Sequence, residues 1–423
     1  MKLLNYQTIK LCLCLLPTLL HAQLSIERCQ ELVRANYPLI QRYGIVEQTA
    51  AYNVSNAGKG YLPQIVFNAK ASYQSDVTTL PFQIPGIQID GLTKEQFAAI
   101  FDISQSIWDG GMVRSQMEVA KAEGAVAQEQ LNVDIYALEK RVNQLFFGIL
   151  LWEAQLEQNQ LLQDDLQRHF SMIEACVQNG IAHRADLDAV AVEQIRAKQL
   201  YQQLFAGRKA YMEMLSMMLG QSVEKWVSLE KPNLSTIPIS NTINRPELKL
   251  FDAQNQLFET KKGSISASYM PRLHLFLQGG YGKPGLNMLD GTFSPFYVGG
   301  VRMTWNFGAL YTQKSNRQKL GLAQQGNERL RETFLYHTQL EITQQNIHIE
   351  RLQKMMQYDN DIIALRENIR RSAETKVSNG TLTVTELMRE LNAENMAKQE
   401  KITHEIELLT AIYDLKFSTN NKP

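Results

Sequence analysis

Residues 174–187 read Glu-Ala-Cys-Val-Gln-Asn-Gly-Ile-Ala-His-Arg-Ala-Asp-Leu, and residues 374–387 read Glu-Thr-Lys-Val-Ser-Asn-Gly-Thr-Leu-Thr-Val-Thr-Glu-Leu. At an offset of 200, Glu174, Val177, Asn179, Gly180, Asp186 and Leu187 meet Glu374, Val377, Asn379, Gly380, Glu386 and Leu387. Each Asn-Gly falls where one helical pattern stops and another starts. Glycine supplies the left-handed backbone that ends a helix, and asparagine tolerates a strained turn. Both stretches therefore predict the tip of a helical hairpin.

The repetition extends outward from the two tips. Asn36-Tyr37-Pro38-Leu39 is echoed by Asn244-Arg245-Pro246-Glu247, and Tyr61-Leu62-Pro63 by Tyr269-Met270-Pro271, both at an offset of 208. Trp108-Asp109-Gly110-Gly111 is echoed by Trp305-Asn306-Phe307-Gly308 at an offset of 197. Short periods of 20–50 residues would signal a solenoid. A period near 200 signals a duplicated half with a complete pattern of its own. The expected divisions are a leader at 1–22, a first repeat at 23–243 and a second at 244–423.

Before each tip lies a long helical pattern. Leu131, Ile135, Leu138, Val142, Leu145, Ile149, Trp152 and Leu156 alternate steps of four and three, the spacing of a heptad seam. The register passes through polar Asn159 and Gln163 and resumes at Leu166, Phe170, Ile173 and Val177. A helix over Met112–Asn179 would reach on the order of 100 Å at 1.5 Å per residue. No single globular domain needs that length, so something is being spanned.

Four shorter segments alternate with period two. Ile65, Phe67, Ala69, Ala71 and Tyr73 lie opposite Val66, Asn68, Lys70 and Ser72. Phe97, Ala99, Phe101, Ile103 and Ile107 lie opposite Gln96, Asp102, Ser104 and Ser106. Leu273, Leu275, Leu277 and Tyr281 face away from Arg272, His274 and Gln278. Tyr297, Val301, Met303, Trp305 and Phe307 face away from Arg302, Thr304 and Asn306. This fits outer-membrane strands with aromatics near their ends (Tyr73, Phe97, Tyr281, Trp305), although on the alternation alone a soluble antiparallel sheet with one wet face is the more ordinary reading. Pro63 and Pro271 hold the preceding residues extended and mark helix-to-strand transitions. Gly110, Gly111 and Gly308 mark the passages from strand to helix.

Composition narrows the function. Lys+Arg and Asp+Glu are both 43, so the formal net charge is zero, which argues against a nucleic-acid partner. Lys2, Lys10 and the apolar run 11–20 followed by His21-Ala22 predict a secretory leader cleaved after Ala22. Its loss leaves 41 basic and 43 acidic residues, a charge of −2. Cys29 and Cys176 remain, expected as buried small hydrophobes without metal-type spacing. No later apolar run reaches the ~18 residues of a membrane helix, so membrane entry would require a β-barrel. His169, His183, His337, His348 and His404 form no ligand spacing, and no catalytic or cofactor-binding constellation is expected. Four strands cannot close a barrel alone, because single-chain barrels use at least eight. Three chains would supply about twelve.

Taken together, the ordered motifs resemble those of the TolC-like outer-membrane efflux proteins across essentially the whole mature chain. They are the two Asn-x-Pro starts (Asn36, Pro38; Asn244, Pro246), Tyr-x-Pro before the first strand, Trp-Asp-Gly-Gly after the second, and the hairpins Gly180…Asp186-Leu187 and Gly380…Glu386-Leu387. The resemblance implies a mainly α fold with a β-barrel contribution. Duplicated long helical hairpins and four transmembrane β-strands per chain would build a trimeric α/β-barrel channel-tunnel. It further implies a homotrimer in outer-membrane lipid with helices in the periplasm, and an equatorial region including Gly220–Thr242 and the C-terminal tail. The partners would be a periplasmic adaptor and an inner-membrane pump, proton-driven or an ABC exporter, serving efflux or type I secretion. Asp186 and Glu386 match the acidic positions that ring the periplasmic entrance in that family; helix capping is the alternative role. A further acidic position is Arg389 here. The family's Tyr and Arg latch positions are Val377 and Leu382, so the latch does not carry over. A trimeric coiled-coil spacer anchored in the envelope is the alternative function, because heptads suit both.

Overall fold

The structure is a computed structural model, which describes residues 24–77, 93–223, 229–233 and 242–420. The expected leader and most of the expected equatorial region fall outside these residues. The described chain runs α1 (Ile26–Asn36), α2 (Arg42–Gly58), β1 (Gln64–Tyr73), β2 (Glu95–Trp108), α3 (Met112–Gln178) and α4 (Arg184–Leu219). It continues through α5 (Pro246–Ser268), β3 (Arg272–Lys283), β4 (Ser294–Thr304), α6 (Leu310–Ser378) and α7 (Val384–Thr419). From β1 onward the order strand, strand, long helix, shorter helix occurs twice. The long helices have 67 and 69 residues and the shorter ones 36 each. Among the described residues no helix is long and apolar enough to cross a membrane.

Local chemistry sets the element ends. Ser25 Oγ accepts the N–H of Arg28 and caps α1. Tyr37 and Arg245, each before a proline, are extended, and Pro246 opens α5 where its missing N–H costs nothing. After Tyr61, Leu62 is extended and β1 follows Pro63 directly. The two strand-to-helix passages differ. Gly110 and Gly111 both have positive φ, and Asp109 accepts the N–H groups of Gly111 and Val113. In the second half Asn306 Oδ1 accepts the N–H of Ala309 within a 3-10 turn, and Gly308 stays out of the left-handed region. β4 ends at Thr304, so Trp305 and Phe307 lie past the strand rather than in it, with Trp305 Nε1 bonded to the Tyr269 carbonyl.

The chain divides into two compact units, each drawing on both halves. Among the described residues, one lies within 24–40, 135–243 and 338–420, the other within 41–134 and 244–337. In the first unit the heptad seam is buried where the pattern placed it: Val142, Leu145 and Ile149, then Leu166 and Ile173. Asn159 is also fully buried within this seam, and its Oδ1 accepts from Gln163. Phe146 and Phe147 join Leu24, Ile26, Cys29 and Val33 of the N-terminal segment, Leu215 and Leu219 of α4, and Tyr413 of α7 in one core. Burial, then Glu27, pushes the Cys29 thiol up to about 12 and leaves it unreactive. Cys176, expected to be buried, is only half-buried.

In the second unit the four strands form one antiparallel sheet in the order β1-β2-β3-β4. Strand lengths of 10–14 residues reach or exceed the ~9–11 a tilted membrane strand requires. Directly opposed residues share a face, so the register fixes both surfaces. Phe67, Phe101 and Gly279 fall in one row, as do Ile65, Ile103 and Leu277, and Leu275 pairs with Val301. That face is apolar across all four strands except for Gln105, in the row of Leu275 and Val301. Its charged residues, Glu95 and Lys283, sit only at the strand ends near Tyr73 and Phe97. Aromatics mark both ends: Tyr281 stacks on Phe293 at one, and Trp305 contacts Phe307 at the other.

Candidate functional site

The two hairpin tips have the same geometry. Gly180 and Gly380 have φ of 77° and 70°. Gly180 donates to the Val177 carbonyl and Ile181 to that of Cys176; Gly380 donates to Val377 and Thr381 to Lys376. This pair of bonds, with glycine left-handed, satisfies the last carbonyls of α3 and α6. Asn179 Nδ2 adds a bond to the Ala175 carbonyl, whereas for Asn379 the bond is its backbone N–H to Thr375. A Cβ on either glycine would meet open space, so backbone conformation alone accounts for these residues.

Asp186 and Glu386 stand three residues into α4 and α7, half-buried. Asp186 accepts the N–H of His183 at 2.9 Å. Glu386 accepts the N–H of Thr383 at 3.2 Å and its hydroxyl at 3.0 Å, while Thr383 Oγ1 accepts the N–H of Glu386. Both carboxylates thus cap helices, the second in a complete reciprocal box. The Thr383 N–H holds the Glu386 carboxyl below the usual range, assisted by the Thr383 hydroxyl and the Arg389 charge. It therefore stays ionised at neutral pH. Arg389 lies exposed beside Glu390 at 3.1 Å. Val377 and Leu382 pack into the apolar cluster of Leu166, Ile173, Val190, Ala373 and Leu387, so neither offers a polar latch.

Close to the tips lies an ionic chain that sequence reasoning missed. His169 Nε2 is 3.2 Å from Glu374; Glu374 also pairs with Arg370; Arg370 Nε meets Glu394 at 2.5 Å; and Lys398 reaches Glu394 at 2.6 Å. His169 and Glu394 are buried. The groups come from α3, α6 and α7, and no spacing within one helix reveals the pairing. The i, i+4 steps Arg370–Glu374 and Glu394–Lys398 were the available hints. Burial holds the His169 imidazole below its usual range despite Glu374. For Glu394 burial acts upward, but the bonds from Lys398 and Arg370 outweigh it, and the carboxyl ends below its usual range.

On the polar face of the sheet, Asp102 gathers Asn68 Nδ2 at 2.8 Å and Gln278 Nε2 from the two neighbouring strands. Among the described residues no group of His, Cys, Asp and Glu is arranged to hold a metal ion.

Residues 30–221 match the family model described as outer membrane efflux protein. This stretch, just under half of the chain, is similar to that family. No curated protein matches the chain significantly in sequence. Solved structures extend the likeness to nearly all of the chain. The Campylobacter jejuni CmeC outer membrane channel has a TM-score of 0.68 at 13% identity, over 93% of this chain and 85% of that one. The Vibrio cholerae outer membrane protein VceC gives 0.64 at 13%, over 92% and 95%. The open-state Neisseria gonorrhoeae MtrE outer membrane channel gives 0.65 at 14%, over 94% and 89%. At these identities the likeness establishes the fold, mainly helical with a small antiparallel sheet. The efflux-protein family consists of outer-membrane channels, not enzymes.

Proposed function

We propose that three copies of this chain close one β-barrel in the outer membrane and continue it as a helical tunnel into the periplasm. The tunnel conducts solutes passively from an inner-membrane pump and a periplasmic adaptor to the outside. The carrying observation is the sheet: four strands, one face almost wholly apolar and the other mixed, carrying Lys70, Asp102, Arg272 and Arg302, with β1 and β4 as open edges. Unpaired edges are not viable in lipid, and pairing β1 with β4 of the next copy removes them all. Residues 23–243 and 244–423 act as two copies of one unit, each supplying two strands and one long hairpin.

At the periplasmic entrance, Asp186 and Glu386 form the acidic ring while also capping α4 and α7. Arg389 beside Glu386 makes that ring less negative. Carboxylate rings bind multivalent cations. In planar bilayers, Asp186→Ala/Glu386→Ala is expected to weaken block of the purified trimer by multivalent cations about tenfold or more, because each trimer loses six carboxylates. Undiminished block in a conducting variant would remove both residues from the ring.

A further inference from the structure

We propose that Arg272 and Arg302, on either side of His274, form a cationic collar on the polar face of the sheet, and that it makes the barrel favour anionic solutes such as carboxylate- or sulfonate-bearing molecules. This rests on the closed-barrel reading above, which turns that face inward.

The register assembles the collar. Ser106, His274 and Arg302 lie in one row across β2, β3 and β4, and Arg272 lies opposite Thr304 one step further along. These residues fall at the strand ends that continue into the helices. The Arg302 guanidinium lies 4.6 Å from the centre of the Phe276 ring, which orients it along the sheet face. Among the described residues neither arginine forms an ion pair with a carboxylate, and the Phe276 ring leaves the Arg302 charge uncancelled.

The rest of the face has the same sign. Lys70, opposite Ala98, adds a third cation nearer the far end. Asp102 is the acid of this face within the four strands, and both its oxygens are committed to the amides of Asn68 and Gln278. Three copies would set nine permanent cations against three carboxylates inside the barrel. Rings of arginine or lysine select for anions, as rings of carboxylates do for cations. The barrel therefore opposes the preference of the acidic entrance, and the two filters act in series.

The test is the reversal potential of purified trimer in planar bilayers under a KCl gradient. Arg272→Gln/Arg302→Gln is expected to lower the chloride-to-potassium permeability ratio at least about threefold. Arg272→Lys/Arg302→Lys is expected to keep the wild-type ratio. If the glutamine variant fails to assemble, Thr304→Asp, which adds a carboxylate beside Arg272, must lower the ratio in the same direction. A conducting glutamine or aspartate variant with the wild-type ratio overturns the collar and leaves the channel reading standing. A wild-type trimer that never conducts overturns the channel reading, and the collar with it.

Discussion

Arg370→Met is expected to destabilise the chain by about 2–4 kcal/mol, because buried Glu394 loses one of its two cationic partners. Glu394 is 4% exposed, and its partners are Arg370 on α6 and Lys398 within α7. Removing the guanidinium leaves Glu394 with Lys398 alone and releases Glu374 as well. Thermal unfolding followed by circular dichroism should show a melting point lower by on the order of 10 °C. Arg370→Met/Glu394→Met should recover much of that loss, because apolar replacement of a whole buried pair is often neutral. A double variant no better than the single one would mean that the ion pair is not what Arg370 contributes.

Acid should weaken the same junction in two stages. His169 is held below its usual range, so the unfolded chain binds a proton that the folded chain resists. Stability is therefore lost as pH falls below about 6.5, the ordinary histidine value. Glu394, also held low, contributes stability that is present above about 4.3 and lost as pH falls through its depressed folded value. Arg370, Arg168 and Glu374 are the charges that face His169, and the net direction already includes them. His169→Gln should remove the upper stage and leave the lower one.

The second large effect is expected at Gly110→Ala. At φ +70° an alanine costs about 1–2 kcal/mol in backbone strain alone. Its Cβ would also lie 2.3 Å from Cβ of Met270 and 3.3 Å from the Ala267 carbonyl. Neither is the far end of a flexible side chain, so the passage from β2 to α3 must move away from the end of α5. Overpacking of this kind adds ~1–3 kcal/mol. Gly111→Ala is the internal control: φ is +85° but nothing lies within 4 Å of the new Cβ, so strain acts alone. Gly180→Ala and Gly380→Ala belong with that control. Recovery of heat-stable assembly should fall sharply for Gly110→Ala and modestly for the other three. Equal losses at Gly110 and Gly111 would show that contact with Met270 is unimportant.

These contrasts explain what the sequence made legible. Gly180 and Gly380 could be read because a left-handed glycine after a heptad run has few other uses, and because the pattern occurs twice. The seam from Val142 to Ile173 could be read because its burial follows helical period, even through Asn159. The apolar sheet face followed from period two, although Trp305 and Phe307 continued the alternation past the true end of β4. The His169–Glu374–Arg370–Glu394 chain was illegible, because contact between three helices depends on their relative rotation and not on spacing within any one. The collar needed the register, since only pairing of β3 with β4 places His274 opposite Arg302. Likewise, Gly308 echoes the Gly110–Gly111 region in sequence but not in conformation, because Asn306 closes that turn by its own side chain.

The central claim is that copies of this chain enclose a conducting pore. Single-channel recording of the purified, full-length mature protein in planar lipid bilayers tests it most directly. Discrete conductance steps are predicted, blocked by multivalent cations and relieved of that block in Asp186→Ala/Glu386→Ala. Membrane-inserted protein that shows no steps at any voltage or salt, with or without those substitutions, would contradict the claim and favour an anchored coiled-coil spacer.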